Sequence, residues 1–321
     1  MILNLDSTAQ ADPNNERSEP SIKIDSGLLM PGVASDHRIN SMVNAAARKL
    51  LGERWSLDAE LPLWPAEYFN LDQSSLFGSL DQAEQHAVLT LCSEAIVEEA
   101  LLIEKCGMAF GVKMSALAES VEERMFYNMM ASEEAIHYHQ VRQFLPNNGF
   151  DVKPNVFHRL LADLIENGDR DSLVFIIQVV LEGWGLKHYK NLAESCLSEA
   201  FSKELKEILK DESRHHGTGV IFAKEREFSG ATCDYTVEIL EDFLMMIQVG
   251  PQSVLSAMET VAGPLETPQK LNLFNELDAE NRSAEKLDTL RELMIQNGGA
   301  VIVERLEALN RFTPYPTEHC L

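Results

Sequence analysis

Two Glu-x-x-His motifs are the residues of this 321-residue chain whose types and spacing point most directly to chemistry. The first motif is Glu134 with His137, and the second is Glu212 with His215. On an α-helix, residues three positions apart lie on one face, about one turn from each other. Each motif would therefore present a carboxylate and an imidazole side by side, and both groups are ligands for transition-metal ions.

A Glu on an apolar stretch precedes each motif by one predicted helix. Glu182 lies in LVFIIQVVLEGWGL, where no cation at helical spacing would neutralise a buried carboxylate. The earlier stretch, AIVEEALLIEKC, offers three candidates. Glu99 is preferred to Glu98 because it continues the apolar face of the helix, and Glu104 is the third choice.

The spacing along the chain tests whether these four sites can meet. In an antiparallel helix pair, residues at one level lie equally far from the turn. The midpoint between Glu99 and the first motif falls near Leu117, and the midpoint between Glu182 and the second motif falls near Ser198. Both positions are at predicted turns, so the four sites are predicted to converge in the middle of a helix bundle.

A convergence of four carboxylates needs compensating cations, because the charges would otherwise repel one another strongly. Two metal ions would supply them, and oxygen ligands with two imidazoles suit iron or manganese better than a thiolate-closed zinc site. Bridging carboxylates let the coordination change with oxidation state, as the reduction of O2 requires. The predicted metal ligands are Glu99, Glu134, His137, Glu182, Glu212 and His215.

Over roughly residues 80–230 the chain resembles the ferritin-like di-iron oxygenase superfamily. The resemblance rests on both motifs and on DESRH at 211–215, which is similar to the Asp-Glu-x-Arg-His signature of bacterial multicomponent monooxygenases. It implies a ferritin-like four-helix bundle with additional N- and C-terminal helices. It also implies two iron ions with O2 as co-substrate, and an Asp211 that orients an imidazole. A manganese–iron pair stays open.

Within that superfamily, the length and the extra C-terminal helices look most like the p-aminobenzoate N-oxygenase type. That type implies N-oxygenation of an amine or amino acid in a biosynthetic pathway. It carries a further His one turn before the second motif, where this chain has Ile208, so C–H hydroxylation and desaturation stay open. Val141, where radical subunits carry Tyr, disfavours a radical role. A ferroxidase and a non-catalytic helical scaffold are the remaining alternatives.

The expected partners follow from what the chain lacks. It shows no flavin or nicotinamide fingerprint, so an external electron donor is expected. The substrate is expected to be a small organic molecule, either free or presented on a carrier protein, and a homodimer is left open. Acidic residues outnumber basic ones by 51 to 27, which disfavours binding to nucleic acid or to an anionic membrane.

The location and the domain organisation are read from composition and periodicity. Five scattered Cys and an N-terminus without an export signal place the chain in the cytoplasm. Residues 1–35 are predicted to form a flexible arm, and 36–321 a single helical domain. The dimetal core is placed at about 80–230 and covering helices at about 235–310. The fold class is therefore all-α.

The predicted boundaries of the core helices come from capping residues. Ser79 is expected to cap the first core helix, Ser120 the second and Asp171 the third, with the fourth running over about 202–227. Gly183 and Gly185 are unfavourable inside a helix. They indicate either a helical irregularity that makes space beside the metals or close helix packing. Met130 is expected in the core, or lining a substrate pocket.

Overall fold

The computed structural model describes residues 23–34, 36–51, 61–149, 151–225 and 228–321. Within these ranges every regular element is a helix and no β-strand occurs, which confirms the all-α prediction. A π-helix, Val174–Glu182, lies between two of the α-helices. The α-helices are α1 (Arg38–Leu51), α2 (Ser75–Gly78), α3 (Gln82–Leu117), α4 (Val121–Val141), α5 (Val156–Asn167), α6 (Arg170–Leu173), α7 (Gly183–Ser195), α8 (Glu199–Lys224), α9 (Gly230–Gln248), α10 (Gln252–Ala262), α11 (Thr267–Glu276), α12 (Ala279–Gln296) and α13 (Ala300–Ala308).

The first helix pair consists of α3 and α4. Asp81 caps α3 and forms a reciprocal capping box with Glu84. The cap therefore lies two residues after Ser79, where the sequence predicted it. Ser120 caps α4 as predicted, because its hydroxyl accepts the backbone N–H of Glu123 at 3.0 Å. Three residues separate the two helices, and so short a connection makes them antiparallel neighbours.

In the second helix pair, one member is the π-helix continued by α7, and the other member is α8. Asp169, not the predicted Asp171, caps α6, which leads directly into the π-helix. Ser198 caps α8 by accepting the backbone N–H of Phe201 at 3.2 Å. Gly219 of α8 lies so close to Gln178 of the π-helix that a Cβ atom there would overlap the glutamine side chain. Small residues thus set how closely the second pair packs.

Helix α5 was not predicted from the sequence. It begins after Asn155, which accepts the N–H of His158 at 3.1 Å. It ends at a buried cation, since Lys113 Nζ donates to the carbonyl oxygens of Ile165 at 2.7 Å and Gly168 at 2.8 Å. A lysine at a helix C-terminus satisfies carbonyl groups that have no partner inside the helix.

Two hydrophobic cores lie along the helix pairs, and each long helix contributes to both. In α3, residues up to Leu101 pack in one core and residues from Leu102 onward pack in the other. In α4, Met130 belongs to one core and Val141 to the other. In the continuous segment formed by the π-helix and α7, Val180 belongs to one core and Leu192 to the other. The predicted metal ligands of α4 and of the π-helix therefore lie between the two cores.

The ends of the chain pack on this body. Residues 1–22 and 35 of the predicted arm lie outside the described residues. Of the remainder, Leu28 is buried, and the Ser26 hydroxyl donates to Glu166 Oε1 at 2.6 Å. The predicted covering helices correspond to α9–α13, of which α12 contacts both α7 and the π-helix. No helix in the described ranges is both long and apolar enough to cross a bilayer.

Candidate metal centre

Side chains from both helix pairs form a cluster of carboxylates and imidazoles between the two cores. Their ligand atoms fall into two groups, and within each group all of the atoms lie within 4.8 Å of one another. The first group has Glu104, Glu134, His137 and Glu212, and the second has Glu182, Glu212 and His215. We call these six residues the carboxylate–histidine cluster. Because Glu212 belongs to both groups, the cluster offers two neighbouring cation positions with one carboxylate between them.

Five of the six predicted ligands lie in this cluster, and Glu99 does not. Glu104, the third choice from the sequence, takes its place. The register of the first helix pair explains the difference. A Cβ atom at Gly111 would lie 2.8 Å from the Ala131 Cβ atom, and one at Gly107 would lie 2.8 Å from Glu134 Cδ. This register puts Glu104 beside the first motif and leaves Glu99 more than a turn away.

The first histidine is held from both sides. His137 Nδ1 lies 3.2 Å from Glu104 Oε2 and 3.4 Å from Glu212 Oε1, so this nitrogen faces the cluster. Its other nitrogen, Nε2, lies 3.1 Å from Asp211 Oδ2. Asp211 thus has the contact expected of a residue that orients an imidazole. With a proton on Nε2, Nδ1 is the nitrogen that could bind a metal ion.

The second histidine is held in the same way by the opposite helix. His215 Nδ1 lies 3.3 Å from Glu134 Oε1, and Nε2 lies 2.8 Å from Glu133 Oε2. Arg214 links the two orienting carboxylates, since Nη2 lies 2.7 Å from Glu133 Oε1 and 2.8 Å from Asp211 Oδ1. The acidic residue directly before each motif therefore holds the histidine of the other motif.

Glu133 and Tyr189 are residues of the site that the sequence analysis missed. A signal for Glu133 was present, because an acidic residue directly precedes the Glu of each motif, as Glu133 before Glu134 and Asp211 before Glu212. Tyr189 gave no such signal. Its hydroxyl donates to Glu104 Oε1 at 2.9 Å, and only the tertiary structure brings these two residues together.

Burial and mutual repulsion govern the protonation of the carboxylates. Burial, followed by repulsion from Glu212 and Glu104, raises the pKa of Glu134 well above its ordinary value. Burial also raises the pKa of Glu182 well above its usual range, and the charges of Glu212 and Glu104 add to the effect. Burial alone would raise the pKa of Glu212 as well, but the adjacent imidazoles of His137 and His215 outweigh it and lower this pKa to about 2.

The two imidazoles respond in the opposite sense. Burial alone would lower the pKa of His215, but the carboxylates of Glu133 and Glu212 outweigh it and raise this pKa to about 11. Burial opposes protonation of His137 too, yet Glu104 and Asp211 raise its pKa well above the ordinary value. In the metal-free protein, the raised pKa values of both imidazoles, Glu134 and Glu182 favour their protonated forms, which reduces the net negative charge of the cluster.

Two buried atoms of the cluster have no hydrogen bond with any described residue. They are Glu182 Oε2 and His215 Nδ1, and both belong to the second ligand group. A buried polar atom without a partner is costly, typically about 1–3 kcal/mol. A carboxylate oxygen and an imidazole nitrogen that lack partners are a suitable pair of ligands for a metal ion. The donor set therefore fits the metal centre that the sequence predicted.

The π-helix brings Glu182 to the cluster and is locked there by Gln178. The Gln178 side chain accepts from Tyr127 Oη at 2.8 Å and donates to the carbonyl oxygen of His215 at 2.9 Å. Its own carbonyl oxygen lies 2.8 Å from His216 Nδ1. The irregularity predicted from Gly183 and Gly185 is thus present, just before the first glycine. Close packing holds at Gly183, where a Cβ atom would lie 2.8 Å from His216 Nδ1, but not at Gly185, where a Cβ atom would meet no heavy atom within 4 Å.

A cavity of about 110 Å³ opens on one side of the cluster. The carboxylates of Glu104, Glu134, Glu182 and Glu212 form one wall. The other walls are mostly apolar, and Met130 is among them, as one of the sequence expectations had it. The apolar lining residues are Ile103, Phe110, Met130, Phe157, Leu161, Ile165, Ile177, Leu181 and Trp184. An apolar chamber beside a few convergent polar groups is typical of a small-molecule site.

Replacing Gly107 by Ala is expected to disturb the cluster. The added methyl group would overlap the Glu134 carboxylate, which must then move away from its ligand position. We expect cobalt(II) affinity to fall about tenfold or more, with the helical circular dichroism signal retained. Gly217→Ala is the matched control, because a Cβ atom there meets no heavy atom within 4 Å. Equal affinity in the two variants would show that Glu134 does not need its present position.

Metal binding is expected to release protons and to strengthen as pH rises. The pKa values of Glu134, Glu182, His137 and His215 are raised in the metal-free protein, that of His215 to about 11, so each group keeps its proton to a higher pH than usual. They must lose those protons to act as ligands. Calorimetric titration with cobalt(II), in buffers of different ionisation enthalpy, should give a release of about two protons or more per chain. A heat independent of the buffer would contradict this protonation pattern.

No protein-family model, curated protein or solved structure matches the chain. The geometry of the cluster and the cavity therefore carries the functional argument.

Proposed function

We propose that this protein is an oxygenase in which the carboxylate–histidine cluster holds two iron ions beside a substrate cavity. The observation that carries the proposal is the pair of ligand groups that share Glu212. The order of ligands along the chain, one Glu, a Glu-x-x-His, one Glu and a Glu-x-x-His, supports a ferritin-like core. The donor set of carboxylates and imidazoles supports iron, with a manganese–iron pair as the variant.

In this proposal each metal ion is held by one of the two ligand groups. When bound, an iron pair supplies the redox chemistry by which O2 is reduced. Glu133 and Asp211 hold the imidazoles in place, and Arg214 holds both of these acids. The apolar walls of the cavity exclude water from the side of the cluster that a substrate would approach.

The reaction balances as a monooxygenation. One substrate molecule, one O2, two electrons and two protons give the substrate with one added oxygen atom and one water; in a desaturation the same inputs give the alkene and two waters. The electrons must come from an external donor protein or reductant. The sequence resemblance favours N-oxygenation of an amine or amino acid. The apolar walls favour a second candidate, C–H hydroxylation or desaturation, because a hydrocarbon group is the part of a substrate that such walls bind.

The test begins with metal content. The purified chain is incubated anaerobically with ferrous iron, freed of excess metal and analysed for iron, with two ions per chain as the expected result. O2 uptake is then followed with a chemical reductant and a panel of small amines and amino acids. Uptake that rises with one compound and yields its oxidised product supports the oxygenase. Uptake that follows only the added iron would indicate a ferroxidase.

The same assay separates the enzyme from a non-catalytic scaffold. Glu182→Ala and His215→Ala each remove a predicted ligand, and in an oxygenase both should lose bound iron and product formation. A scaffold that merely has a helical core would tolerate both changes. Lys190→Met is a control, because this side chain is exposed and its ion-pair partner, Glu194, lies outside the cluster. Unchanged iron content in both ligand variants would overturn the proposed function.

A further inference from the structure

The glycines inside α3, α7 and α8 differ in what surrounds them. At four of them a Cβ atom would lie within 3 Å of a heavy atom of another helix, namely at Gly107, Gly111, Gly183 and Gly219. A Cβ atom at Gly185 would meet no heavy atom within 4 Å. The backbone of Gly185 is helical and has no positive φ that would exclude a side chain. Neither packing nor backbone geometry therefore requires glycine at position 185.

Gly185 lies in the middle of the helix face that lines the cavity. Six residues between 181 and 189 belong to the lining, namely Leu181, Glu182, Trp184, Gly185, His188 and Tyr189. Gly185 and Tyr189 are four positions apart, so their side-chain directions are nearly the same. The Tyr189 hydroxyl lies 2.9 Å from Glu104 Oε1, so this row of α7 faces the carboxylate–histidine cluster. A side chain at position 185 would therefore extend into the cavity, where the glycine leaves space.

The cavity has room for a small hydrocarbon group. Its volume is about 110 Å³, somewhat less than that of an engineered apolar cavity of about 150 Å³ that binds benzene. Apart from the cluster, its walls are mostly apolar. A hydrocarbon group gains free energy when such walls remove it from water, whereas an ionic group would lose its hydration there.

Trp184 is a fixed wall of the cavity beside Gly185. Its ring stacks on the His188 ring, with the centroids 6.2 Å apart and an angle of 9° between the planes. It also meets the Phe243 ring edge-on, with the centroids 5.9 Å apart. Contacts with two other rings hold the indole in place. The cavity therefore cannot widen on this side unless these contacts are broken.

We propose that Gly185 is a specificity-determining residue of the cavity. By having no side chain, it leaves space for a compact hydrocarbon group no larger than about a benzene ring, and Trp184 sets the upper limit of size. This inference rests on the proposed function only in taking the bound group as part of the substrate. Such a group presents C–H bonds to the cluster, which favours C–H hydroxylation or desaturation over N-oxygenation.

The test uses two probes of size, benzene with one ring and indole with two fused rings. Binding is measured by calorimetry on the full chain, both metal-free and after anaerobic loading with ferrous iron. We expect benzene to bind at least about tenfold more tightly than indole, because the second ring exceeds the space. Absence of benzene binding in both states, or equal affinity for the two probes, would overturn the proposal.

Two substitutions at position 185 test the role of the glycine. Gly185→Ala should weaken benzene binding about threefold or more, and Gly185→Leu about thirtyfold or more, because the larger side chain occupies more of the cavity. Gly217→Ala and Gly217→Leu are the matched controls. A Cβ atom at Gly217 also meets no heavy atom within 4 Å, but Gly217 does not line the cavity.

Stability separates loss of space from loss of fold in these variants. Both alanine variants should raise the urea midpoint to a similar extent, because alanine is favoured over glycine inside a helix. Only the variants at position 185 should lose benzene affinity. Benzene that binds Gly185→Leu as tightly as Gly217→Leu would refute the role of Gly185.

Trp184→Leu should act in the opposite sense. Removing the indole widens the cavity, so free indole should bind at least about tenfold more tightly than it binds the unsubstituted protein. Unchanged indole affinity in the folded variant would show that Trp184 does not set the size limit. If Trp184→Leu does not fold, the variants at position 185 decide the proposal by themselves.

Iron content separates this inference from the proposed function. Gly185 and Trp184 lie outside both ligand groups, so Gly185→Leu and Trp184→Leu should still bind two iron ions. If iron binds and the probes do not follow the expected pattern, the inference fails alone. If the probes follow that pattern and iron does not bind, the cavity assignment stands and the proposed function fails.

Discussion

Glu212→Ala is expected to abolish binding at both metal positions. Glu212 is the residue common to the two ligand groups, so its removal takes a carboxylate from each. The adjacent imidazoles of His137 and His215 lower its pKa to about 2, so it is ionised across the usable pH range. We expect affinity for ferrous iron to fall by more than about a hundredfold, or about 2.7 kcal/mol, at each position. Metal analysis after anaerobic loading measures this directly.

A surface acid on the same helix provides the comparison. Glu207 lies five residues before Glu212 on α8 and pairs with Lys210 at 2.6 Å on the exposed face. Such a pair contributes little, so Glu207→Ala should keep both iron ions and change the free energy of unfolding by less than about 1 kcal/mol. If Glu212→Ala retains two iron ions per chain as Glu207→Ala does, the cluster is not the metal centre.

Lys113→Met is expected to destabilise the fold by about 3 kcal/mol or more. Only 1% of Lys113 is exposed, and its ammonium group donates to the carbonyl oxygens of Ile165, Glu166 and Gly168. Methionine fills much of the same space but donates no hydrogen bond, so these buried carbonyl groups lose their partner. The measurement is the urea midpoint of the metal-free protein, with the transition followed by circular dichroism.

The position of Lys113 connects this effect to the site. Gly168 comes two residues before α6, which leads into the π-helix that carries Glu182. We therefore expect weaker metal binding in Lys113→Met as well. Lys190→Met removes an exposed lysine 3.9 Å from Glu194, and it should shift the unfolding free energy by less than about 1 kcal/mol. Shifts of equal size in the two variants would mean that the carbonyl groups do not depend on Lys113.

Periodicity and spacing predicted much of this protein correctly. The Ser120 cap and the Glu-x-x-His motifs are local features, because helical geometry alone puts residues three positions apart on one face. An acid isolated among apolar residues, such as Glu182, also reveals a buried charge that needs compensation. The all-α fold and five of the six cluster residues could be predicted for these reasons.

The choice between Glu99 and Glu104 could not be made in this way. Both residues lie on α3 within two turns, and the midpoint argument has to assume where the turn is centred, so it does not separate them. The close approach of Gly107 to Glu134 and of Gly111 to Ala131 sets the actual register. Short-range contacts of this kind depend on both helices at once, so neither helix alone contains the information.

The local chemistry of the site is therefore determined by the sequence itself, because residues three positions apart place a carboxylate and an imidazole on one face of a helix. The relations between helices arise only when the cores pack. Packing selects Glu104 over Glu99, brings Tyr189 to Glu104 and opens an apolar cavity beside the cluster. The physical reason is range: capping and periodicity act within about one or two turns, whereas interhelical register is set by steric fit between residues far apart in sequence.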